Sequence, residues 1–320
     1  MPPTQPIVIA HRGASGYLPE HTLPAKAYAH AVGADFLEQD IVLTRDAIPI
    51  VLHDIHLDTV SDVAQLFPGR QREDGRFYAI DFTWDEVQRL RASERFKATT
   101  GKPVFPSRFP IGRSHFSIPS LEEELQFIAG LNTSTGRHAG IYSEIKQPAF
   151  HRQAGLDISR IVLEIIEKTG WATDKKYVYV QCFDASETRR IRQELNCQLP
   201  LIQLLPGDPW DDLVQPGRLA DLELALAQVH EYADGIGPPI SQLLLARDAD
   251  GFLRTSPLVE AAHKQQLQVH PWTIRRDDLP QVVDSLDALH RVLFSQLGVD
   301  GVFSDFPDAT VEYVRGLNRR

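Results

Sequence analysis

Between Asp40 and His53 the chain has room to turn back but not to cross over. Residues 41–52 form an apolar β-type run with one turn signal, Arg45-Asp46-Ala47. A connection to a parallel strand needs about a dozen residues or more beyond the strands themselves. Residues 41–53 therefore read as a hairpin that leaves after Asp40, turns, and returns to set His53 beside it. That reading fixes the strand count. Short apolar β runs alternate with helical patterns, as in βα units around a parallel sheet. With 41–53 set aside as a hairpin, eight candidate strands remain, near 7–12, 35–40, 140–146, 177–183, 200–205, 233–238, 267–274 and 299–304. Eight is the number that closes a TIM (β/α)8 barrel, so the expected fold class is α/β, a single barrel domain over residues 1–320.

Residues 55–118 fit no βα unit. They carry Pro68, Pro103, Pro106 and Pro110 and one clear helical pattern near 84–91, and are expected to be an insertion that follows the hairpin and caps the barrel mouth. Helix starts are marked elsewhere. Thr83 with Glu86, Ser120 with Glu123 and Asp184 with Glu187 each place a capping side chain three residues before an acid. Ser256-Pro257 places proline at the expected first helical position.

At 320 residues and 42% hydrophobic the chain can bury a large core. It shows no apolar run near the roughly 20 residues of a membrane span, and its first residues lack the pattern of a secretion leader. The net charge of −10 argues against a nucleic-acid partner, since phosphate backbones are bound by clustered Lys and Arg. One local exception lies in residues 91–117, where Arg91, Arg95, Lys97, Lys102, Arg108 and Arg113 face Glu94 as the one acid. The plain reading is a solvated irregular face; the sharper one is a patch that draws an anionic substrate. Cys182 and Cys197 are too few for a cysteine metal site; they read as small core residues, with a single bridge between them left open.

Polar residues gather at the expected strand ends. The first strand leads into His11-Arg12-Gly13, the second ends in Glu38 and Asp40, and the third ends in Glu144 and Lys146. Later ends supply Gln181, Phe183 and Asp184, then His270 and Trp272, then Asp300 and Asp305. Alternate residues of a strand share a face, so Glu38 and Asp40 point the same way, as do Glu144 and Lys146. Three carboxylates converging without cysteine point to one hard divalent cation, Ca²⁺ or Mg²⁺, rather than zinc. The competing reading is an ion network with Arg12 and Lys146. His11 and His53 are the candidates for proton transfer. Arg12 and Lys146 offer a fork of donors and a point charge to a phosphate, which bare carboxylates would repel unless a cation inverts the local potential.

The ordered set His11-Arg12-Gly13, Pro19-Glu20-His21-Thr22, Glu38-x-Asp40, Thr44-Arg45-Asp46, His53-Asp54, Glu144-x-Lys146 and Gly298-Val299-Asp300-Gly301-Val302-Phe303-Ser304-Asp305-Phe306-Pro307 resembles the glycerophosphodiester phosphodiesterases, and the likeness spans nearly the whole chain. With the long insertion and Val269-His270-Pro271-Trp272-Thr273, it is similar to the periplasmic branch, which acts on glycerophosphocholine and related diesters with Ca²⁺. The resemblance implies hydrolysis of such small diesters to sn-glycerol 3-phosphate and an alcohol. It implies His11 and His53 as the acid and base pair, Glu38, Asp40 and Glu144 as ligands of the cation, with Ca²⁺ ahead of Mg²⁺, and Arg12 and Lys146 on the phosphate. Phe183 and Trp272 would wall the alcohol portion. His21 departs from the usual Asn, and a ring in place of an amide alters hydrogen bonding near Glu20. The branch further implies a periplasmic or secreted protein if a leader has been removed, and a cytoplasmic one if the chain is whole as written. Two other readings stay open: phospholipase D-like action on lysophospholipids, and a phosphodiester-binding protein without turnover. Oligomeric state is not readable.

Overall fold

The computed structural model describes residues 5–248 and 251–317. Its strands are β1 (Ile7–Ala10), β2 (Phe36–Leu43), β3 (Pro49–Val51), β4 (Gly140–Ile145), β5 (Val178–Cys182), β6 (Leu201–Leu204), β7 (Gly235–Gly237), β8 (Leu244–Arg247), β9 (Leu253–Thr255), β10 (Gln268–Val269) and β11 (Gly301–Ser304). Eight of these, all but β3, β8 and β9, form the parallel strands of a β/α alternation. The fold is the (β/α)8 barrel class. The chain divides into two compact units, Ala10–Val178 and the pair of segments Met1–Ile9 and Tyr179–Arg320.

In the unit Ala10–Val178, β2 pairs in parallel with β4 so that Asp40 lies opposite Glu144 and Glu38 opposite Tyr142. Every residue of β2 is buried, because βα units cover both faces of such a strand. The hairpin is present. β3 runs antiparallel to β2 with Ile41 opposite Val51 and Leu43 opposite Pro49, and Leu52 N–H donates to the Asp40 carbonyl at 2.8 Å. The strand leaves its site three residues later than expected, at Leu43. The face that carries Glu38 and Asp40 continues into Val42, which packs with Leu57, Phe77, Phe82, Leu90 and Phe116 in an apolar cluster of its own. Residues 55–118 are therefore anchored by a small core rather than draped as open loop.

In the other unit β5, β6, β7 and β10 are parallel neighbours in that order. β11 meets β1 through the Ile7 N–H to the Asp300 carbonyl at 2.9 Å. Helices cover a core that runs from Val8 through Leu222, Leu226, Leu258 and Leu293 to Val314. Gly235 is required by close approach: a Cβ there would stand 2.7 Å from the Gln268 carbonyl oxygen and from the Ile202 side chain.

The helix starts at Thr83 and Ser120 are full capping boxes, and Asp184 accepts from the Ser186 and Glu187 amides. Four local expectations need correction. The helix expected over 84–91 is only Trp84–Val87, because the chain must turn to let Ala92 bridge both Ser61 and Phe116. Pro257 sits at the cap, one residue before the helix Leu258–Lys264 begins. The seventh strand shrinks from 267–274 to Gln268–Val269, since Pro271 lacks an amide to donate; beyond it only isolated bridges remain, Pro239 with Trp272 and Ile274 with Ser304. Asp300 precedes β11 instead of ending it, and it pairs with His263 and the Val269 amide. No helix among the described residues is long and apolar enough to cross a membrane. Cys182 and Cys197 are both buried and not joined by a disulfide.

Candidate active site

The unit Ala10–Val178 gathers seven of the nine residues singled out above. Register does most of the work. Neighbouring strands lie about 4.8 Å apart, so placing Asp40 opposite Glu144, with Glu38 two residues earlier on the same face, brings one oxygen of each acid within 4.8 Å of the others. All three carboxylates are buried.

The β1 end delivers the next residues through a tight turn. Arg12 and Gly13 both have positive φ, 57° and 85°, and at Gly13 a Cβ would meet the Ala25 backbone at 2.9 Å, so only glycine fits. This turn aims the Arg12 amide at Glu38 Oε2, 2.8 Å away, and leaves His11 Nε2 3.9 Å from the same oxygen. The Arg12 guanidinium meets Glu20 at 3.1 Å and Asp40 at 3.4 Å. His21, also at positive φ, donates or accepts through Nε2 to Asp40 Oδ2 at 2.7 Å, so its altered hydrogen bonding falls on Asp40. Lys146 bonds Glu144 at 2.8 Å and stands 3.9 Å from Asp40 Oδ1.

The hairpin then returns His53, whose Nδ1 lies 2.6 Å from Asp54 Oδ1. Its ring feels the charges of Arg12, Lys146 and Asp40. Phe183 and Trp272 come together in the other unit, their rings 5.7 Å apart and nearly perpendicular, with Trp272 Nε1 donating to the Gly237 carbonyl at 2.9 Å.

The three acids do not share one electrostatic environment. Burial, then the charges of Asp40 and Glu144, push Glu38 well above the usual carboxylate range. Burial likewise pushes Glu144 up to about 8, against the pull of Lys146. Burial would raise Asp40 too, but Lys146 and His21 outweigh it and hold that carboxyl well below its ordinary value. Three acids this close do not all ionise without a cation. The Asp40 Oδ1 atom is buried and accepts no hydrogen bond. An oxygen-rich, cysteine-free set with such an oxygen at its centre fits a hard divalent ion, and the cluster can hold one. Burial, Arg12 and Lys146 lower His53 to about 4, so its ring is neutral near pH 7.

Four supporting residues carry no strong sequence signal of their own. Lys26, fully buried, bonds Glu124 at 2.6 Å and donates to the carbonyl of Glu38 itself; no motif of the sequence points to it. Glu20 and Asp54 lie inside motifs but show their partners only in three dimensions. Arg95, counted above in a diffuse basic stretch, bridges both of them at 2.6 Å.

Residues 11–309 match the model of the glycerophosphoryl diester phosphodiesterase family. The chain is 42% identical to a glycerophosphodiester phosphodiesterase of Haemophilus influenzae, over 97% of this chain and 90% of that one. It is 38% identical to a glycerophosphodiester phosphodiesterase of Treponema pallidum, over 96% and 91% respectively. Among solved structures it is similar to an Oleispira antarctica phosphodiesterase in complex with the product sn-glycerol-3-phosphate, with a TM-score of 0.63 at 20% identity, covering 97% of each chain. Family match, near-complete coverage and the strand-end constellation agree: this chain belongs to the glycerophosphoryl diester phosphodiesterase family and is a phosphoric diester hydrolase.

Proposed function

We propose that the enzyme hydrolyses small glycerophosphodiesters, glycerophosphocholine and glycerophosphoethanolamine among them, to sn-glycerol 3-phosphate and the free alcohol. Glu38, Asp40 and Glu144 hold one divalent cation, Ca²⁺ ahead of Mg²⁺. The observation that carries this reading is the pairing of Asp40 with Glu144 in register, with Glu38 inside the same 4.8 Å cluster. The product named with the Oleispira antarctica phosphodiesterase supports the product expected here.

When bound, the cation neutralises negative charge building on the phosphoryl oxygens. Arg12 and Lys146 bind the phosphate from either side of Asp40. His53 acts as base: donating Nδ1–H to Asp54 leaves Nε2 with a lone pair, and the neutral ring can take the attacking oxygen's proton. His11 supplies the proton to the departing alkoxide.

Two substrates separate these roles. Release of glycerol 3-phosphate from glycerophosphocholine is expected to fall about 10²- to 10⁴-fold in both His11→Ala and His53→Ala. With a p-nitrophenyl diester, whose leaving group needs no protonation, His11→Ala should recover most of its rate and His53→Ala should not. Near wild-type turnover of both variants on both substrates would dismiss the pair.

A further inference from the structure

Arg95 holds two arms of the site with one side chain. Its Nε and Nη2 grip Glu20 as a fork, at 3.0 and 2.6 Å, and its Nη1 reaches Asp54 Oδ2 at 2.6 Å. Each carboxylate passes the constraint on: Glu20 to the Arg12 guanidinium at 3.1 Å, Asp54 to His53 Nδ1 at 2.6 Å. Arg95 itself stands on a backbone frame in the insertion. The Phe96 amide donates to the Thr59 carbonyl, Ser93 to Val60, and Val104 to the Arg95 carbonyl, all at 2.8 to 3.0 Å.

A guanidinium suits this task better than an ammonium, because its planar fork fixes direction as well as charge. The four groups Arg12, Glu20, Arg95 and Asp54 also balance, two cations against two anions, so the partly buried cluster carries no net charge of its own. Remove Arg95 and Glu20 is left to Arg12 alone, drawing that guanidinium toward itself, while Asp54 loses the bond that aims it at His53. A carboxylate free to swing no longer fixes which imidazole nitrogen carries the proton.

We infer that Arg95 is a positioning residue of the active site, through which residues 55–118 set the orientation of His53 and Arg12. The inference rests on the roles proposed above for those two residues. It makes the insertion part of the catalytic machinery.

The test uses the full chain with cation present and glycerophosphocholine as substrate. Arg95→Ala is expected to lose about a hundredfold in kcat, while Arg95→Lys recovers little of it. Added guanidinium, at a concentration that leaves the wild type unchanged, should restore the Arg95→Ala rate by about tenfold or more, which refilling a merely structural contact far from the chemistry would not do. In a cycle with Asp54→Asn, the double variant should be no worse than the poorer single. Histidine ¹⁵N spectra should show His53 protonated on Nδ1 in the wild type and mixed between nitrogens in Arg95→Ala. If Arg95→Ala keeps its kcat and loses only thermal stability, the inference is wrong. If it does not fold, Asp54→Asn decides instead: an unchanged kcat and an unchanged His53 tautomer would overturn the positioning chain. His53→Ala is the control, since its full activity would sink the catalytic reading, whereas a dead His53→Ala beside a fully active Arg95→Ala would sink only the inference.

Discussion

The two units finish their strands differently. In Ala10–Val178 the strand ends and the hairpin return carry charge: His11 and Arg12, Glu38 and Asp40, His53 and Asp54, Glu144 and Lys146. In the other unit the corresponding ends carry Gln181 and Phe183, Gln203, Gly237, then Trp272 and Ser304, with one buried acid, Asp305, paired to Arg275 at 3.0 Å. There neutral amides turn back onto the backbone, as Gln203 does to the carbonyls of Cys182, Phe183 and Leu204. Buried charge is costly unless paired, and Ala10–Val178 bears most of that cost, the other unit holding the buried acids Glu187 and Asp305, each paired with an arginine. The contrast is one of charge: buried ionisable groups concentrate in one unit, neutral polar and aromatic strand ends in the other.

The contrast is sharpest at the metal cluster. Glu144→Gln keeps the volume and removes a charge, and kcat with glycerophosphocholine is expected to drop by more than the roughly 100-fold that mutating an outer partner of a metal site costs. A change of a few fold would place the chemistry elsewhere. Stability probes the same contrast. Lys26 and Glu124 form a fully buried pair behind Glu38, so Lys26→Met should destabilise by about 3–5 kcal/mol in chemical denaturation by stranding Glu124. The double variant Lys26→Met with Glu124→Leu should recover much of that loss, and a failure to recover would mean that the bond to the Glu38 carbonyl matters more than the charge. The smallest effect belongs to the other unit. Trp272→Ala removes a ring and no charge, so kcat with glycerophosphocholine should stay within about threefold of the wild type; a collapse of kcat instead would erase the contrast.

Much of this was readable in the residues, for identifiable reasons. The hairpin followed from the short spacing between Asp40 and His53, and the acids converged because period-two faces and parallel register are simple rules. Glu38, Asp40 and Glu144 meet as those rules require. What escaped were contacts between residues far apart in sequence. Arg95 lies 75 positions from Glu20 and 41 from Asp54, and nothing periodic marks it. Lys26 likewise carries no signal of its own, because its partner Glu124 is 98 positions away. The seventh strand was overcalled because an apolar run continues past Pro271, where the ladder cannot. The capping boxes at Thr83 and Ser120 were found because both partners sit within one turn.

The central claim is that Glu38, Asp40 and Glu144 form one divalent-cation site. Calorimetric titration of Ca²⁺, and separately Mg²⁺, into chelator-treated protein tests it most directly. One saturable site is expected in the wild type, weakened at least a hundredfold in Glu144→Gln, with activity returning in step with occupancy. Full activity in the chelated protein, or equal cation binding by wild type and Glu144→Gln, would contradict it.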